Sequence, residues 1–460
     1  MAPKDKKRLN ALDRAFLAAE SRDVMMHVGA LLEFAPPRDA ATDLSRQLRE
    51  ELAREKSVER PWNLRLLHPD LLKSPVQAWV PDDHFDVEYH VRRSALASPG
   101  DERELGILVS RLHGSPLDFH RPPWEAHFIE GLAGDRLALY FKVHHSLVDG
   151  YTGMRILARS LSTDPDERDT PLFFALPEDE RRQRRDEQVP SLAALLEAAR
   201  GQLDVAKDIG RAVMSALRSR RADDRGLALP LQAPKSVLNQ RISRSRRFAT
   251  QRVSLDRVKR IASAAGGTLN DVVLAITGAA LRRFLLEQGA LPSRPLVAML
   301  PVNVRPKDDP GGGNAVGAIL ASLATDIERP RAALDAIIAS TTRAKAQLQG
   351  MSKNAIMQYS ALALAPMMLS SIPGAAGRVR PAFNLVVSNV PGPETPLYFR
   401  GWRLDEMYPL SIPFHGYGLN VTVQSYAGSL NFGFTGCRDT LPHLQRLAVY
   451  SGDVVEDLEA

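Results

Sequence analysis

The chain has 460 residues, 44% hydrophobic and 25% charged, with a net charge of +6; it is too long for a single hydrophobic core and too ordinary in composition to be fibrous or wholly disordered. The modest basic excess suits anionic lipid surfaces or phosphorylated ligands, while basic residues mixed among acids, with no nucleic-acid motif, argue against a nucleic-acid partner. One cysteine, Cys437, excludes an internal disulfide, and a basic start without an apolar signal core predicts a cytoplasmic chain.

Apolar periodicity predicts a helix over 13–21, strands over 26–34 and 87–92, and a helix over 106–113. The segment 137–145, Leu-Ala-Leu-Tyr-Phe-Lys-Val-His-His, alternates as a strand whose Leu137, Leu139, Phe141, Val143 and His145 share one face, so His144 points the other way. Asp149 and Gly150 then mark a strand-to-helix turn ahead of Ile156, Leu157 and Leu161. A charged, proline-bounded run at 177–190 reads as a solvated connector. Leu192, Leu195, Leu196, Ala199 and Leu203 open a long amphipathic helix to about Leu217, read as a crossover helix or a membrane-surface helix.

A strand over 247–255 follows, then a helix stopped by Gly266 and Gly267, and Thr268 with Asp271 caps a helix to Glu287. Strands over 296–304 and 315–325, a helix over 331–348, and strands around 384–388 and 418–435 complete the chain. The apolar stretch 355–372 is broken by Gln358, Ser360 and Pro366 and reads as a buried helix, not a membrane span. Mixed elements in both halves predict an α/β (α+β) protein of two facing lobes, 1–171 and 247–460, joined by a connector and crossover helix at 172–246.

The chemistry concentrates at His144 and His145. An imidazole suits the transfer of a proton from an alcohol to a leaving group near neutral pH. Asp149 can cap the helix, pair with an arginine and hold the loop that presents the ring. Two histidines and an aspartate could also suggest zinc, but neighbours on opposite strand faces cannot easily meet one ion, so no metal is expected. Ser146 lacks the Gly-x-Ser-x-Gly elbow of a serine hydrolase. Without further context both histidines could be ordinary packing residues.

His-His-x-x-x-Asp-Gly after an apolar strand is the signature of the coenzyme-A-dependent acyltransferase superfamily, which includes chloramphenicol acetyltransferase and peptide-synthetase condensation domains. Over nearly its full length the chain resembles the bacterial wax ester synthase/acyl-CoA:diacylglycerol acyltransferase family. The resemblance rests on Leu12-Asp13, Phe16-Leu17 and Glu20, on Met26-His27-Val28-Gly29, and on Pro116-Leu117-Asp118 with Arg121-Pro122-Pro123-Trp124-Glu125, where the family usually has Pro-Leu-Trp. Asn270-Asp271, Pro301-Val302-Asn303-Val304-Arg305, Gly313-Asn314 and the run from Asn384 to Pro393 continue it.

The resemblance implies two chloramphenicol-acetyltransferase-like lobes with a channel between them. It implies His145 as catalytic base, His144 and Asp149 as shapers of the motif, and Asn270 near the channel. Gly150, Trp124, Ser388 and Asn389 are the candidate substrate-lining residues, each with a plain structural role as alternative. No bound cofactor is expected. Acyl-CoA is the co-substrate, a fatty alcohol or diacylglycerol the acceptor, and peripheral contact with the inner face of the plasma membrane or with lipid inclusions the expected setting. The tail at 425–439 looks especially like wax ester synthases. Two other readings stand beside this one: a condensation-type enzyme fed by a carrier protein, and a non-catalytic lipid-binding protein.

Overall fold

The computed structural model describes residues 6–37, 48, 50–51, 58–74, 76–176, 233–303, 316–349 and 381–459. The expectations for the charged connector, the long amphipathic helix, the stretch 355–372 and Gly313-Asn314 lie outside these residues.

The first half contains β1 (Lys7–Arg8), α1 (Ala11–Ala19), β2 (His27–Ala35), β3 (Leu64–Leu66), β4 (Ala78–Pro81), α2 (Val87–His90), β5 (Val91–Ala95), α3 (Glu102–His113), β6 (Trp124–Glu130), β7 (Leu137–His144) and α4 (Gly150–Arg159). An Asn10–Asp13 capping box starts α1 and Asp101 caps α3. The strand expected over 87–92 is instead one helical turn followed by a strand. Asp86 accepts hydrogen bonds from Glu88 N and Tyr89 N, which closes the turn before β5 can begin.

The second half contains β8 (Arg246–Ser254), α5 (Leu255–Ala265), α6 (Leu269–Glu287), β9 (Val297–Asn303), β10 (Val316–Ser322), α7 (Pro330–Gln349), β11 (Leu385–Val390), β12 (Tyr398–Phe399), β13 (Trp402–Leu410), β14 (Leu419–Tyr426), β15 (Ser429–Cys437) and α8 (Gln445–Glu459). Gly266 ends α5 in a left-handed conformation at φ 65°, and the predicted Thr268–Asp271 capping box is present. Nearly the whole length of α6 is buried, as its all-round apolar surface requires.

Two six-stranded sheets, ordered β12-β13-β2-β7-β6-β5 and β10-β9-β11-β14-β15-β8, carry the lobes, and a small β1-β4-β3 sheet lies beside the first. The first lobe packs Trp62, Trp124, Phe141 and Phe173 edge to face, while α6 centres the second core with Phe432 and Phe434. The sheets do not divide the chain at one point. β13, far along the sequence, pairs with β2 from Arg403↔Ala35 to Leu410↔Gly29.

β13 also lies against the second sheet, where Asn431 Nδ2 donates to Met407 O at 3.3 Å and Ser411 N to Thr435 Oγ1 at 3.2 Å. A Cβ at Gly433 would sit 2.0 Å from Pro409 O, so this close approach requires glycine.

Candidate active site

β7 is buried along its whole length and pairs with β2, with His27 opposite His144. The chain leaves the ladder at His145, whose backbone N–H donates to Met26 O at 2.8 Å, and turns into α4. The two imidazoles therefore have separate surroundings. The buried His144 Nδ1 accepts Ser146 N–H at 3.2 Å and lies 2.6 Å from Ser146 Oγ, which leaves the proton on Nε2. That nitrogen faces Glu20 Oε2 at 3.4 Å, and the same carboxylate oxygen accepts Met26 N–H at 2.5 Å.

His145 is half-buried and stacks on Phe16 with ring centroids 4.1 Å apart. Burial lowers its pKa, the Asp149 charge and the residue's own backbone oppose that, and His144 adds to the lowering. Asp149 caps α4: Oδ1 accepts Thr152 N–H at 2.9 Å and Oδ2 accepts Thr152 Oγ1–H at 2.8 Å. This is the cap expected of it.

A polar scaffold braces β7 from the face toward α3. The Lys142 ammonium, with its side chain 0% exposed, donates to Leu112 O at 3.0 Å and Ser115 O at 2.9 Å and lies 3.2 Å from Glu125 Oε2. Burial pushes the Glu125 carboxyl up, but His127, Lys142 and Arg92 outweigh it and hold it at about 2. Beside them His27 Nε2 meets His113 O at 2.9 Å, and His113 Nδ1 meets Tyr140 OH at 2.9 Å. Burial keeps both imidazoles neutral, His113 at about 3.

The other expected site residues are spread over both lobes. Asn270 lies partly exposed on the first turn of α6, next to Asp271, which is held by Thr268 and by Thr341 Oγ1 at 2.6 Å. Gly150 is the first residue of α4, and a Cβ there would meet nothing within 4 Å, so open space adjoins it. Ser388 and Asn389 lie partly exposed on β11 opposite Thr422 and Val423 of β14. No hydrogen bond joins any of these to His145 among the described residues.

Trp124 corrects the expectation of a substrate-lining side chain. It is 0% exposed, its indole N–H donates to Trp62 O at 2.8 Å, and its ring stacks on His90. Large aromatic area and a satisfied N–H make it a core residue. Phe16, Glu20 and Phe119, which the motif alone did not single out for the site, are among the residues that touch or face the two imidazoles. The four-residue spacing of Phe16 on α1 and Glu20 at its C-cap was the available signal.

Comparison with known proteins agrees along the whole chain. Residues 9–273 match the wax ester synthase/diacylglycerol acyltransferase catalytic domain, and residues 312–459 match the WS/DGAT C-terminal domain. A putative diacylglycerol O-acyltransferase of Mycobacterium tuberculosis is 53% identical, over 99% of this chain and 97% of that protein. A probable diacylglycerol O-acyltransferase of the same species is 42% identical over 97% of each. The solved wax ester synthase/diacylglycerol acyltransferase from Marinobacter aquaeolei superimposes with a TM-score of 0.77 at 39% identity, covering 98% of both chains. A condensation domain of the calcium-dependent antibiotic synthetase, at 20% identity and a TM-score of 0.58, shares the fold. The chain thus belongs to the wax ester synthase/diacylglycerol acyltransferase family and is an acyltransferase.

Proposed function

We propose that the chain moves a fatty acyl group from acyl-CoA to the hydroxyl of diacylglycerol or of a long-chain fatty alcohol, with His145 as general base. The observation that carries this reading is the half-buried His145 ring at the end of β7, stacked on Phe16 and lying within the field of Asp149. The imidazole takes the proton from the acceptor hydroxyl as its oxygen attacks the thioester carbon. The tetrahedral intermediate collapses, the C–S bond breaks, and the imidazolium returns the proton to the coenzyme A thiolate. Ser146 is unsuited to a covalent acyl-enzyme, because it is 3% exposed and its Oγ is engaged by His144.

Diacylglycerol as acceptor is supported by the names of the mycobacterial relatives. A fatty alcohol is supported by the resemblance of residues 425–439 to wax ester synthases and by the joint name of the Marinobacter enzyme. Contact with a membrane or lipid inclusion from the cytoplasmic side is part of the same proposal. It is supported by the acceptors' insolubility and by Leu71 and Val76, 64% and 68% exposed within one loop. Among the described residues no single helix is long and apolar enough to cross a membrane.

Thiol release from palmitoyl-CoA with hexadecanol or with diacylglycerol, in wild type and His145→Ala, tests the proposal. Equal rates in the two proteins would remove the assignment of the base, and the acceptor that supports turnover names the product.

A further inference from the structure

A groove of about 570 Å³ runs between α3 of the first lobe and α8 of the second, floored by β8. That volume is in the range of small-molecule sites. Its walls carry Arg103 from α3, Arg247 from β8, and Arg446 with His443 at the start of α8. Apolar surface lies beside these cations, including Val449, one of four large hydrophobic side chains exposed among the described residues, at 57%.

The charges in and around this groove are unbalanced. Glu102, which lines the groove, is paired with Arg136 at 2.6 Å, and Glu287 is paired with the groove's own Arg446 at 3.0 Å, which leaves Arg103 and Arg247 as the uncompensated guanidinium groups of its wall among the described residues. Arg103 and Arg247 form no ion pair or side-chain hydrogen bond among the described residues. Arg247 is half-buried, and burial first, then the Arg438 and Arg103 charges, lowers its pKa from the ordinary guanidinium value. A half-buried cation facing other cations is an arrangement that folding alone does not favour. An arriving anion would relieve it.

We propose that this groove binds a phosphate group carried on an apolar body, with Arg103 and Arg247 as the phosphate contacts and Val449 beside the apolar part. Guanidinium forks match phosphate oxygens, and a single anion between them neutralises both. The site draws on both lobes, so its occupant clamps α3 against β8 and α8. It is independent of the His145 assignment, since none of its residues belongs to the motif. The same chemistry occurs in a phospholipid headgroup and in the phosphates of a coenzyme A ester.

The test is equilibrium binding to the full chain of two probes, adenosine 3′,5′-bisphosphate and phosphatidylcholine vesicles with or without phosphatidic acid. Wild type is compared with Arg103→Gln/Arg247→Gln. Binding of one probe should weaken about tenfold or more in the double variant and fall with added salt. Loss in the nucleotide arm assigns the site to the coenzyme's phosphates, and loss in the phosphatidic acid arm assigns it to phospholipid.

Unliganded, the variant should melt no lower than wild type, because the repulsion is gone; a purely structural pair would lower the melting temperature. The KM for palmitoyl-CoA should rise if the coenzyme's phosphates occupy the groove and stay at the wild-type value if a phospholipid does. Equal binding of both probes by the two proteins would overturn the proposal, as would a lower-melting variant that still binds like wild type.

Discussion

The imidazole of His145 lies on the phenyl ring of Phe16, with the planes inclined by only 24°. The stack buries one face of the ring that would take the acceptor's proton, and burial is the largest of the influences on its pKa. A lowered pKa keeps the ring neutral, and so competent as a base, to lower pH than a free histidine near 6.5. The acid limb of kcat/KM should therefore fall below about 6.5 in wild type.

Phe16→Ala should move that limb upward, because the ring gains water and its charged form becomes easier to make. Asp149→Asn should move it downward, because the carboxylate favours the imidazolium while asparagine still caps the helix. Thiol-release rates from pH 5 to 8 measure both. Shifts of the same sign in the two variants would contradict the assigned causes.

Replacing the base outright has a larger effect. His145→Ala should slow acyl transfer about 100- to 10,000-fold, the usual contribution of a positioned general base. Its melting temperature should stay near that of wild type, because the ring is only half-buried and its backbone N–H bond to Met26 remains.

The buried Lys142–Glu125 pair makes a stability prediction. Lys142→Met leaves the Glu125 carboxylate buried with weaker partners and strips Leu112 O and Ser115 O of their donor. Breaking one partner of a buried pair costs about 3–5 kcal/mol, and Lys142→Met/Glu125→Leu should recover much of that loss. Urea denaturation of the single and double variants decides it.

Acid should weaken the first lobe in two stages. His113 at about 3, His90 at about 4 and His27 well below its ordinary value are neutral in the fold, whereas the unfolded chain takes up protons near 6.5. Their contribution to stability is complete above about 6.5 and declines as the pH falls through their depressed values. Glu125, held at about 2, adds a further loss once the pH drops below the ordinary carboxylate value of 4.5. Melting temperature against pH measures this, and replacing His113 with Asn should flatten the slope between 6.5 and 5.

Gly433 tests the seam between the lobes. Any side chain there meets Pro409 O, so Gly433→Val must push β13 from β15 and should destabilise by about 1–3 kcal/mol or more. Gly150→Ala, where a Cβ meets no neighbour, is the control and should leave the melting temperature unchanged.

Much of this architecture is legible from neighbours in sequence. The alternation of 137–144, the Thr268–Asp271 cap, the glycine stop at Gly266 and the Asp149 cap all depend on residues within four positions of each other, and all are found. The one-turn helix of α2 is a local feature that the apolar pattern masked, because Asp86 binds backbone N–H groups two and three residues on. β6, β13 and α8 were not anticipated at all. β13 and α8 depend on partners far along the chain, as when Leu410 pairs with Gly29, whereas β6 pairs with the adjacent β7 and β5.

The motif itself, His144, His145, Asp149 and Gly150, was readable because one strand and one turn place it. Its surroundings were not. That Phe16 covers His145, that Glu20 faces His144, that Trp124 is core and not channel lining, and that Arg103 and Arg247 line one groove between the lobes follow only from packing. Backbone alternation and capping are set by short-range sterics and hydrogen bonds, which residue types reveal directly. The approach of side chains tens or hundreds of residues apart is decided by how whole surfaces bury together, and no local pattern encodes that.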